Sequence, residues 1–279
     1  MAEITQRSII KFVRLVLKKA NRERVIIGIS GGVDSSVVLA LLTKTLPKEA
    51  ITPVFLPYQD QDMTDAYFLC EGLGFETSKC LEINIGSAVQ KLADLILQDS
   101  GSNNENENQS ELAKRIRLGN MMARVRMIVL FDLAAANNAL VVGTENRSEN
   151  LLGYFTRFGD AASDLEPIAH LYKTQVMQLA EELELPKRLL FKPPSAELWV
   201  GQTDEAEMGF TYQQADSILM ELELQARQSQ RSLIEQVGEE LTKISDQTTD
   251  PSQAMRAKVL QRVKQNWFKQ EVSYKMNLQ

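Results

Sequence analysis

A glycine-rich turn with one acid and a pair of serines stands near the N-terminus. It reads Gly28-Ile29-Ser30-Gly31-Gly32-Val33-Asp34-Ser35-Ser36. Backbone amides in such a turn, together with the start of a following helix, favour a bound anion such as a phosphate. Asp34 by itself would repel a phosphate, so its presence indicates a ligand for Mg²⁺ that bridges phosphate oxygens. The alternative is a strand-turn-helix in which the glycines serve packing alone, but that alternative does not explain why Asp34-Ser35-Ser36 follow the glycines.

A second concentration of polar residues and glycine lies at 143–173. Glu149 can complete a magnesium site there, because Mg²⁺ prefers one or two carboxylates together with phosphate oxygens and water. Lys173 supplies a compact positive charge for phosphate oxygens or for a departing pyrophosphate. A solvated loop acid is the alternative interpretation of Glu149. The glycine-rich turn is no Walker A loop, since it lacks the Gly-Lys-Ser/Thr ending.

The composition limits other chemistries. His170 is the only histidine, and Cys70 and Cys80 are the only cysteines. The sequence therefore has too few histidines and cysteines to favour a Ser-His-Asp triad, a histidine-built metal site or a disulfide framework. The net charge of −6 argues against a broad nucleic-acid surface, and no apolar run is long enough to span a membrane. The N-terminus does not resemble a signal peptide, so we expect a cytoplasmic protein.

Short β-branched runs alternate with helix-like stretches along the first two thirds of the chain. The runs at 24–29, 50–56, 79–85 and 139–142 predict strands. The stretches that predict helices are 5–20, 36–46, 65–73, 86–98, 111–136 and 173–183. This alternation predicts an α/β fold, a doubly wound parallel sheet flanked by helices, in a single domain over 1–279. Ligands of such sheets bind at the carboxyl ends of the strands, where both polar stretches lie.

Further segments carry their own expectations. The polar segment 99–110 is predicted to be a surface loop. The apolar middle of the long helix, 127–133, is predicted to be buried. A capping box that begins at Thr211 opens a helical C-terminal segment, about 211–279. Arg124 lies between apolar residues of the long helix, which predicts a buried arginine with an anionic partner, either a substrate or a structural acid.

The glycine-rich turn resembles the SGGxDS loop of the ATP pyrophosphatase superfamily, whose members cleave ATP between the α- and β-phosphates. The second stretch looks like the signature of the NAD synthetase family, and the resemblance covers roughly residues 5–225. Its matching positions are 119–120, 123–127, 143–150, 153–160, 164, 167–168, 171–173, 194–199 and 202–205. The resemblance implies an adenine nucleotide alpha-hydrolase-like fold. It also implies a ligase that amidates deamido-NAD to NAD with ATP and ammonia, through an acyl-adenylate.

The same resemblance assigns roles to individual residues for ATP and Mg²⁺. Residues 28–36 hold the ATP phosphates, and Asp34 and Lys173 are catalytic. Asp34 and Glu149 are the magnesium ligands. The further contacts to ATP come from Thr144, Lys173 and Ser195.

For deamido-NAD, the resemblance assigns Arg124, Arg157, Asp164 and Lys269. Position 157 is often lysine in relatives, so Arg157 keeps the charge and changes its geometry. Relatives often carry a His-Lys pair near the C-terminus, of which this chain keeps only Lys269. An aromatic residue, Phe268, stands in the place of the histidine.

Partners follow from the resemblance as well: deamido-NAD, ATP and ammonia as substrates, and a second copy of the chain in a homodimer. Neither nucleic acid nor membrane is expected. One alternative is the same ligase as a synthetase subunit fed by a separate glutaminase. Another is a tRNA-modifying ATP pyrophosphatase, which needs a basic surface and usually reactive cysteines. A third is a non-catalytic adenine-nucleotide sensor, which has no reason to keep Glu149, Lys173 and Arg124 together.

Overall fold

Four parallel strands form the centre of the protein. The computed structural model describes residues 6–99, 111–195, 198–199, 201–244 and 248–270. The strands are β1 (Arg24–Gly28), β2 (Ile51–Phe55), β3 (Leu81–Glu82) and β4 (Ala139–Val142), in the order β3-β2-β1-β4. The order reverses between β1 and β4, which confirms the predicted doubly wound α/β sheet. β3 is shorter than predicted because it lies at the edge and pairs with β2 at only two positions.

The helices follow the sequence pattern closely. They are α1 (Gln6–Ala20), α2 (Val33–Thr43), α3 (Thr64–Gly72), α4 (Gly86–Asp99), α5 (Glu111–Ala136), α6 (Arg147–Leu152), α7 (Lys173–Glu182), α8 (Lys187–Leu190), α9 (Asp204–Met208), α10 (Tyr212–Ser229), α11 (Leu233–Lys243) and α12 (Pro251–Asn266). A 3-10 turn, Trp267–Gln270, follows α12. Helix α2 begins at Val33 and not at residue 36 as predicted, so Asp34 belongs to its first turn.

Helices cover both faces of the sheet. α1, α2 and α7 share one apolar core with the sheet, to which Ile9, Val37 and Val176 contribute. α4 and α5 pack on the other face around Val89 and Met122. Helices α10 to α12 form a third core with α6, which confirms the predicted helical C-terminal segment. Burial on both sheet faces explains the short β-branched strands, which are typical of a covered parallel sheet.

The prediction that the middle of α5 is buried is wrong. Ile128 is 58% exposed, and Asp132 is also exposed. The reason is geometric: α5 packs against β1 and β4 along one face, where Leu130 comes close to Gly28, and no described residue covers Ile128 on the opposite face enough to bury it. The predicted loop at 99–110 lies outside the described residues from position 100 onward. Within the described ranges, no helix has both the length and the apolar character needed to cross a bilayer.

Candidate active site

A cavity of about 520 Å³ opens at the carboxyl ends of β1 and β4, the point where the strand order reverses. Its wall includes the glycine-rich turn after β1, the segment after β4, one face of α5 and the end of α12. Crevices at such reversal points are the usual ligand sites of doubly wound sheets. The two polar stretches predicted to carry the chemistry therefore meet in one cavity.

The glycine-rich turn brings the N-terminus of α2 to this cavity. Gly31 has a φ of +84°, and a Cβ there would lie 2.9 Å from the Asp65 Cβ, so only glycine fits. The members of the turn that line the cavity are Gly28, Ile29, Ser30, Gly32, Val33, Asp34 and Ser35. Gly31 and Ser36 do not line it. Ser36 is fully buried and its hydroxyl donates to the Gly32 carbonyl at 2.8 Å, so it stabilises the helix start.

Lys173 lies between two carboxylates at the base of the cavity. Its Nζ forms one salt bridge with Asp34 Oδ2 and another with Glu149 Oε1 at 3.1 Å. The lysine side chain is 5% exposed, and the two acids are 16% and 15% exposed. Asn146 Nδ2 donates to the other oxygen of Asp34 at 2.9 Å. The predicted metal ligands and the predicted catalytic lysine are thus in direct contact.

A capping box fixes the position of Glu149. The Asn146 side chain accepts a hydrogen bond from the Glu149 N–H at 3.0 Å, and Glu149 Oε2 accepts from the Asn146 N–H at 3.3 Å. One carboxylate oxygen of Glu149 therefore caps the N-terminus of helix α6, and the other pairs with Lys173. Lys173 is the first residue of α7, and its N–H donates to the Ser148 hydroxyl at 2.8 Å. Both groups are held by helix starts, so their geometry is preorganised.

The electrostatics of this centre favour an added cation. Burial raises the pKa of Glu149, with Lys173 opposing and Asp34 adding to the rise. Burial works against the charge of Lys173, but Asp34 and Glu149 outweigh it and raise the pKa of the lysine. Burial also raises the pKa of Asp204, which accepts a hydrogen bond from Tyr212 at 2.9 Å. Several acids thus share one lysine in a partly desolvated site.

The donor set fits Mg²⁺. Asp34 and Glu149 offer two carboxylates at one place, and Mg²⁺ in nucleotide sites takes one or two carboxylates, phosphate oxygens and water. Among the described residues, no cluster of three or more His, Cys, Asp or Glu side chains could hold a metal by itself. A cation at Asp34 and Glu149 would therefore need oxygen ligands from a substrate, which agrees with a site for a nucleotide triphosphate.

A second group of acids supports the segment after β4. Glu145 and Asp160 lie near each other, and burial raises the pKa of both, with the negative charge of Asp160 adding to the rise for Glu145. Glu166 accepts hydrogen bonds from the Ser163 hydroxyl at 2.6 Å and from the Glu145 N–H at 3.2 Å. Burial raises the pKa of Glu166 to about 7. Asp160 also accepts from the Thr156 N–H at 2.9 Å, so this group folds the segment.

The ligand-free protein is expected to lose stability as pH rises, because Glu166 has a raised pKa in the folded state. Its contribution is fully present below the unfolded value of 4.5 and is lost as pH rises through about 7. The loss should amount to roughly 2–3 kcal/mol. Urea unfolding from pH 4.5 to 8 measures it. Glu166→Gln should reduce the slope of unfolding free energy against pH, whereas Glu71→Gln on the surface should leave that slope unchanged. Equal slopes for Glu166→Gln and wild type would refute this assignment.

The remaining predicted ATP contacts, Thr144 and Ser195, line the cavity, as does Lys269. Lys269 Nζ donates to the carbonyls of Gly153 at 2.7 Å and Phe155 at 3.0 Å. Of the four residues predicted to contact the dinucleotide, Lys269 lines the cavity and the other three do not. Those three are Arg124, Arg157 and Asp164.

The prediction that Arg124 is buried is wrong. Arg124 is exposed, and its Nη2 donates to the Arg157 carbonyl at 3.2 Å. The physical reason is helical geometry: Ala123 and Met127 of α5 face the cavity, and Arg124 is turned about 100° away from Ala123. Asp164 is also exposed, and its carboxylate accepts from the Val141 N–H at 2.7 Å, which extends the pairing of β4. The structure therefore gives Asp164 a structural contact.

Sequence reasoning missed four residues of the site. Asn146 and Asp204 stand inside motifs noted in the sequence, but nothing in those motifs distinguished their contacts. Tyr212 places its ring 5.2 Å from Lys173 Nζ. Arg262 lines the cavity from α12, a helix whose sequence carries no motif. Only the packing of α10 and α12 against α6 brings these last two residues to the site.

Comparisons with known proteins show the family of this chain. A model of the NAD synthase family matches residues 5–273. An NH(3)-dependent NAD(+) synthetase of Thermoplasma acidophilum is 43% identical over 215 residues, 76% of this chain and 81% of that protein. The solved NMN synthetase of Francisella tularensis has a TM-score of 0.72 at 30% identity, covering 98% and 97% of the two chains. The NH3-dependent NAD synthetase of Campylobacter jejuni gives 0.68 at 29% identity, with the same coverage. The chain belongs to the NAD synthase family.

Proposed function

We propose that this ligase makes NAD in the cytoplasm by amidating deamido-NAD with ammonia, with Mg²⁺ and ATP. The observation that carries the proposal is Lys173 held between Asp34 and Glu149 at the N-terminus of α2. This arrangement suits a triphosphate whose α-phosphorus is attacked and whose pyrophosphate departs. The relatives at 41–43% identity are NH(3)-dependent NAD(+) synthetases, which supports the choice of substrates.

The reaction needs activation because a carboxylate cannot lose an oxide ion. The nicotinate carboxylate attacks the α-phosphorus of ATP, the bond to the β-phosphate oxygen breaks, and pyrophosphate leaves. Ammonia then attacks the acyl carbon of the adenylate, and AMP leaves with the bonding electrons. The backbone amides of the glycine-rich turn and the Lys173 ammonium stabilise the charge that builds on the phosphates. Bound Mg²⁺ would neutralise further phosphate charge beside Asp34 and Glu149.

Ammonia, and not glutamine, is the nitrogen source that the described residues support. A glutaminase needs an activated nucleophile, usually a cysteine beside a base. Cys70 is buried in the core cluster of α3, and burial raises the pKa of both Cys70 and Cys80. Neither residue lines the cavity. A separate glutaminase that delivers ammonia to this chain remains compatible with the site.

A second candidate substrate is nicotinate mononucleotide, which lacks the adenylate half of deamido-NAD. The solved structure with a TM-score of 0.72 is an NMN synthetase, and it is matched over nearly the whole chain. Both substrates present the same nicotinate carboxylate to ATP, so the centre at Lys173 serves either reaction. Preference for one substrate over the other depends on the part of the site that receives the adenylate half of deamido-NAD.

One assay tests both candidates. Purified protein is incubated with ATP, Mg²⁺ and ammonium, and with deamido-NAD or nicotinate mononucleotide, and products are identified by mass. We expect NAD, AMP and pyrophosphate in equal amounts, with kcat/KM higher for deamido-NAD. Glutamine in place of ammonium, with ammonium removed, should give no NAD. Preference for the mononucleotide would instead favour the second candidate, and absence of both amides would refute the proposal.

We also propose that the chain forms a homodimer through α4 and α5. These two helices expose a set of large apolar side chains on one side of the sheet. The exposed members are Leu92, Leu95, Ile96, Leu112, Ile116 and Ile128. Groups of exposed large apolar side chains are typical of interaction sites. A second copy covering it would lie close to Arg124, which is exposed on the same helix, so that Arg124 could meet substrate at the boundary.

Light scattering after size exclusion tests the dimer. Wild type is expected to elute with twice the chain mass of 31.4 kDa. Ile128→Glu should give the monomer, because it places a charge in a desolvated interface. Leu224→Glu changes a similarly exposed leucine on α10 and should leave the dimer intact. A monomeric wild type, or a dimeric Ile128→Glu, would exclude this interface.

A further inference from the structure

Helix α12 brings one arginine to the cavity without giving it an anionic partner. Arg262 lines the cavity, and its Nε is shielded from solvent and has no hydrogen-bond acceptor among the described residues. The guanidinium lies over the Tyr154 ring, with 5.3 Å between its Cζ and the ring centre. No carboxylate of the described part of the chain forms an ion pair with it within 4.0 Å, the distance that the other ion pairs satisfy.

The neighbouring acids form hydrogen bonds with other side chains, each through one carboxylate oxygen: Oδ2 of Asp204 and Oε2 of Glu207. Glu207 accepts hydrogen bonds from the Tyr154 hydroxyl at 2.7 Å and from Gln202 Nε2 at 2.9 Å. Burial lowers the pKa of Arg262, and the negative charges of Glu207 and Asp204 offset this only in part. Arg256, six residues earlier on α12, has anionic partners, because it forms ion pairs with Glu221 and Glu240 of neighbouring helices. An arginine kept without such a partner beside a cavity indicates that a ligand supplies the anion.

A second cation flanks the same place. Lys269 lines the cavity after α12, and two of its three N–H donors go to the carbonyls of Gly153 and Phe155. Burial lowers the pKa of Lys269, and the nearby charge of Arg262 lowers it further. Two positive charges that disfavour each other, each with a donor to spare, form a site that an anion with several oxygens would stabilise.

We propose that Arg262, together with Lys269, binds the phosphate carried by the ribose of the nicotinate nucleotide. The inference rests on the proposed function, and this phosphate is common to deamido-NAD and nicotinate mononucleotide. ATP phosphates have their place at the glycine-rich turn and Lys173. The nicotinate carboxylate must also reach that centre to attack phosphorus. The phosphate is a pyridine ring and a ribose away from that carboxylate, and Arg262 and Lys269 line the same cavity as Lys173.

Steady-state kinetics of Arg262→Gln test the assignment. KM for the nicotinate nucleotide should rise about 30- to 100-fold, because a charge-assisted contact to phosphate is lost. KM for ATP and kcat should stay within about 3-fold of wild type, because the centre at Lys173 is intact. Arg262→Lys keeps the positive charge but lacks the planar guanidinium, so its KM for the nicotinate nucleotide should lie between those of wild type and Arg262→Gln. Arg256→Gln removes an arginine of the same helix that faces Glu221 and Glu240, and its KM values should equal those of wild type.

Calorimetric binding separates this inference from the proposed function, since it needs no turnover. Wild type should bind nicotinate mononucleotide more tightly than nicotinate riboside, which lacks the phosphate, and Arg262→Gln should lose most of this phosphate advantage, with Lys269 retaining the remainder. An undiminished phosphate advantage in Arg262→Gln overturns the assignment, and so does a rise in KM for ATP alone. If Arg262→Gln does not fold by circular dichroism, the same comparison is made with Arg262→Lys, where a reduced advantage is expected. Absence of amide product from wild type would overturn only the proposed function.

Discussion

Replacing Asp34 with Asn or Glu149 with Gln is expected to lower kcat/KM for ATP by about 10³-fold while the fold is retained. Each change keeps the size of the side chain and removes one negative charge from the place where two carboxylates meet Lys173. The remaining carboxylate can still bind Mg²⁺, but more weakly. Higher Mg²⁺ should therefore recover part of the activity of either variant. Turnover across a magnesium titration, with circular dichroism for the fold, measures both effects.

Asp60→Asn is the matched control, because Asp60 is an exposed acid after β2 that does not line the cavity. Its magnesium titration should coincide with that of wild type. Near wild-type activity of Asp34→Asn or Glu149→Gln at limiting Mg²⁺ would show that the residue concerned is no metal ligand. Loss of activity with no dependence on Mg²⁺ would point instead to damage to the capping box in the case of Glu149.

Lys173→Met is expected to have a double effect, on turnover and on stability. Turnover should fall by about 10³-fold, because the charge that faces the departing pyrophosphate is lost. The free energy of unfolding should fall by roughly 3–5 kcal/mol, because Asp34 and Glu149 are left as buried carboxylates without their cation. Urea unfolding of the ligand-free protein at neutral pH measures the second effect. Methionine nearly preserves the buried volume, so the loss reports on charge rather than on a cavity.

Magnesium should restore more stability to Lys173→Met than it adds to wild type, because the metal then replaces the missing positive charge between the two acids. The double variant Asp34→Asn with Lys173→Met serves as control. It removes one of the two stranded charges, so it should be more stable than Lys173→Met alone. Unchanged stability of Lys173→Met, or an equal gain with Mg²⁺ in both proteins, would contradict the picture of one cation shared by Asp34 and Glu149.

Much of the frame could be predicted from local patterns. The β-branched runs predict β1, β2 and β4, and the glycine-rich turn predicts the tight connection from β1 to α2, where Gly31 has a left-handed φ. The contact among Asp34, Glu149 and Lys173 follows from the rule that loops at the carboxyl ends of parallel strands converge. Their residue types then suggest the chemistry, since two acids and a lysine suit Mg²⁺ and phosphate.

Other features depend on neighbours that are remote in sequence, and there the local patterns are insufficient. The apolar middle of α5 looks buried in the sequence, but Ile128 is exposed because the sheet covers only one face of that helix. Whether Arg124 reaches the cavity is decided by the rotation of α5 about its axis, which the packing on β1 and β4 determines.

The sequence by itself determined the glycine-rich turn for which we predict phosphate binding, and it identified the two acids and the lysine, because each belongs to a short segment whose geometry is local. Only the tertiary structure decided that Arg262 and Lys269 face the same cavity. They belong to α12 and the turn after it, which dock on α6 through apolar contacts among Leu152, Val259 and Val263. Such contacts are non-directional and join segments about a hundred residues apart. No local pattern in either segment therefore predicts that Arg262 and Lys269 reach the cavity.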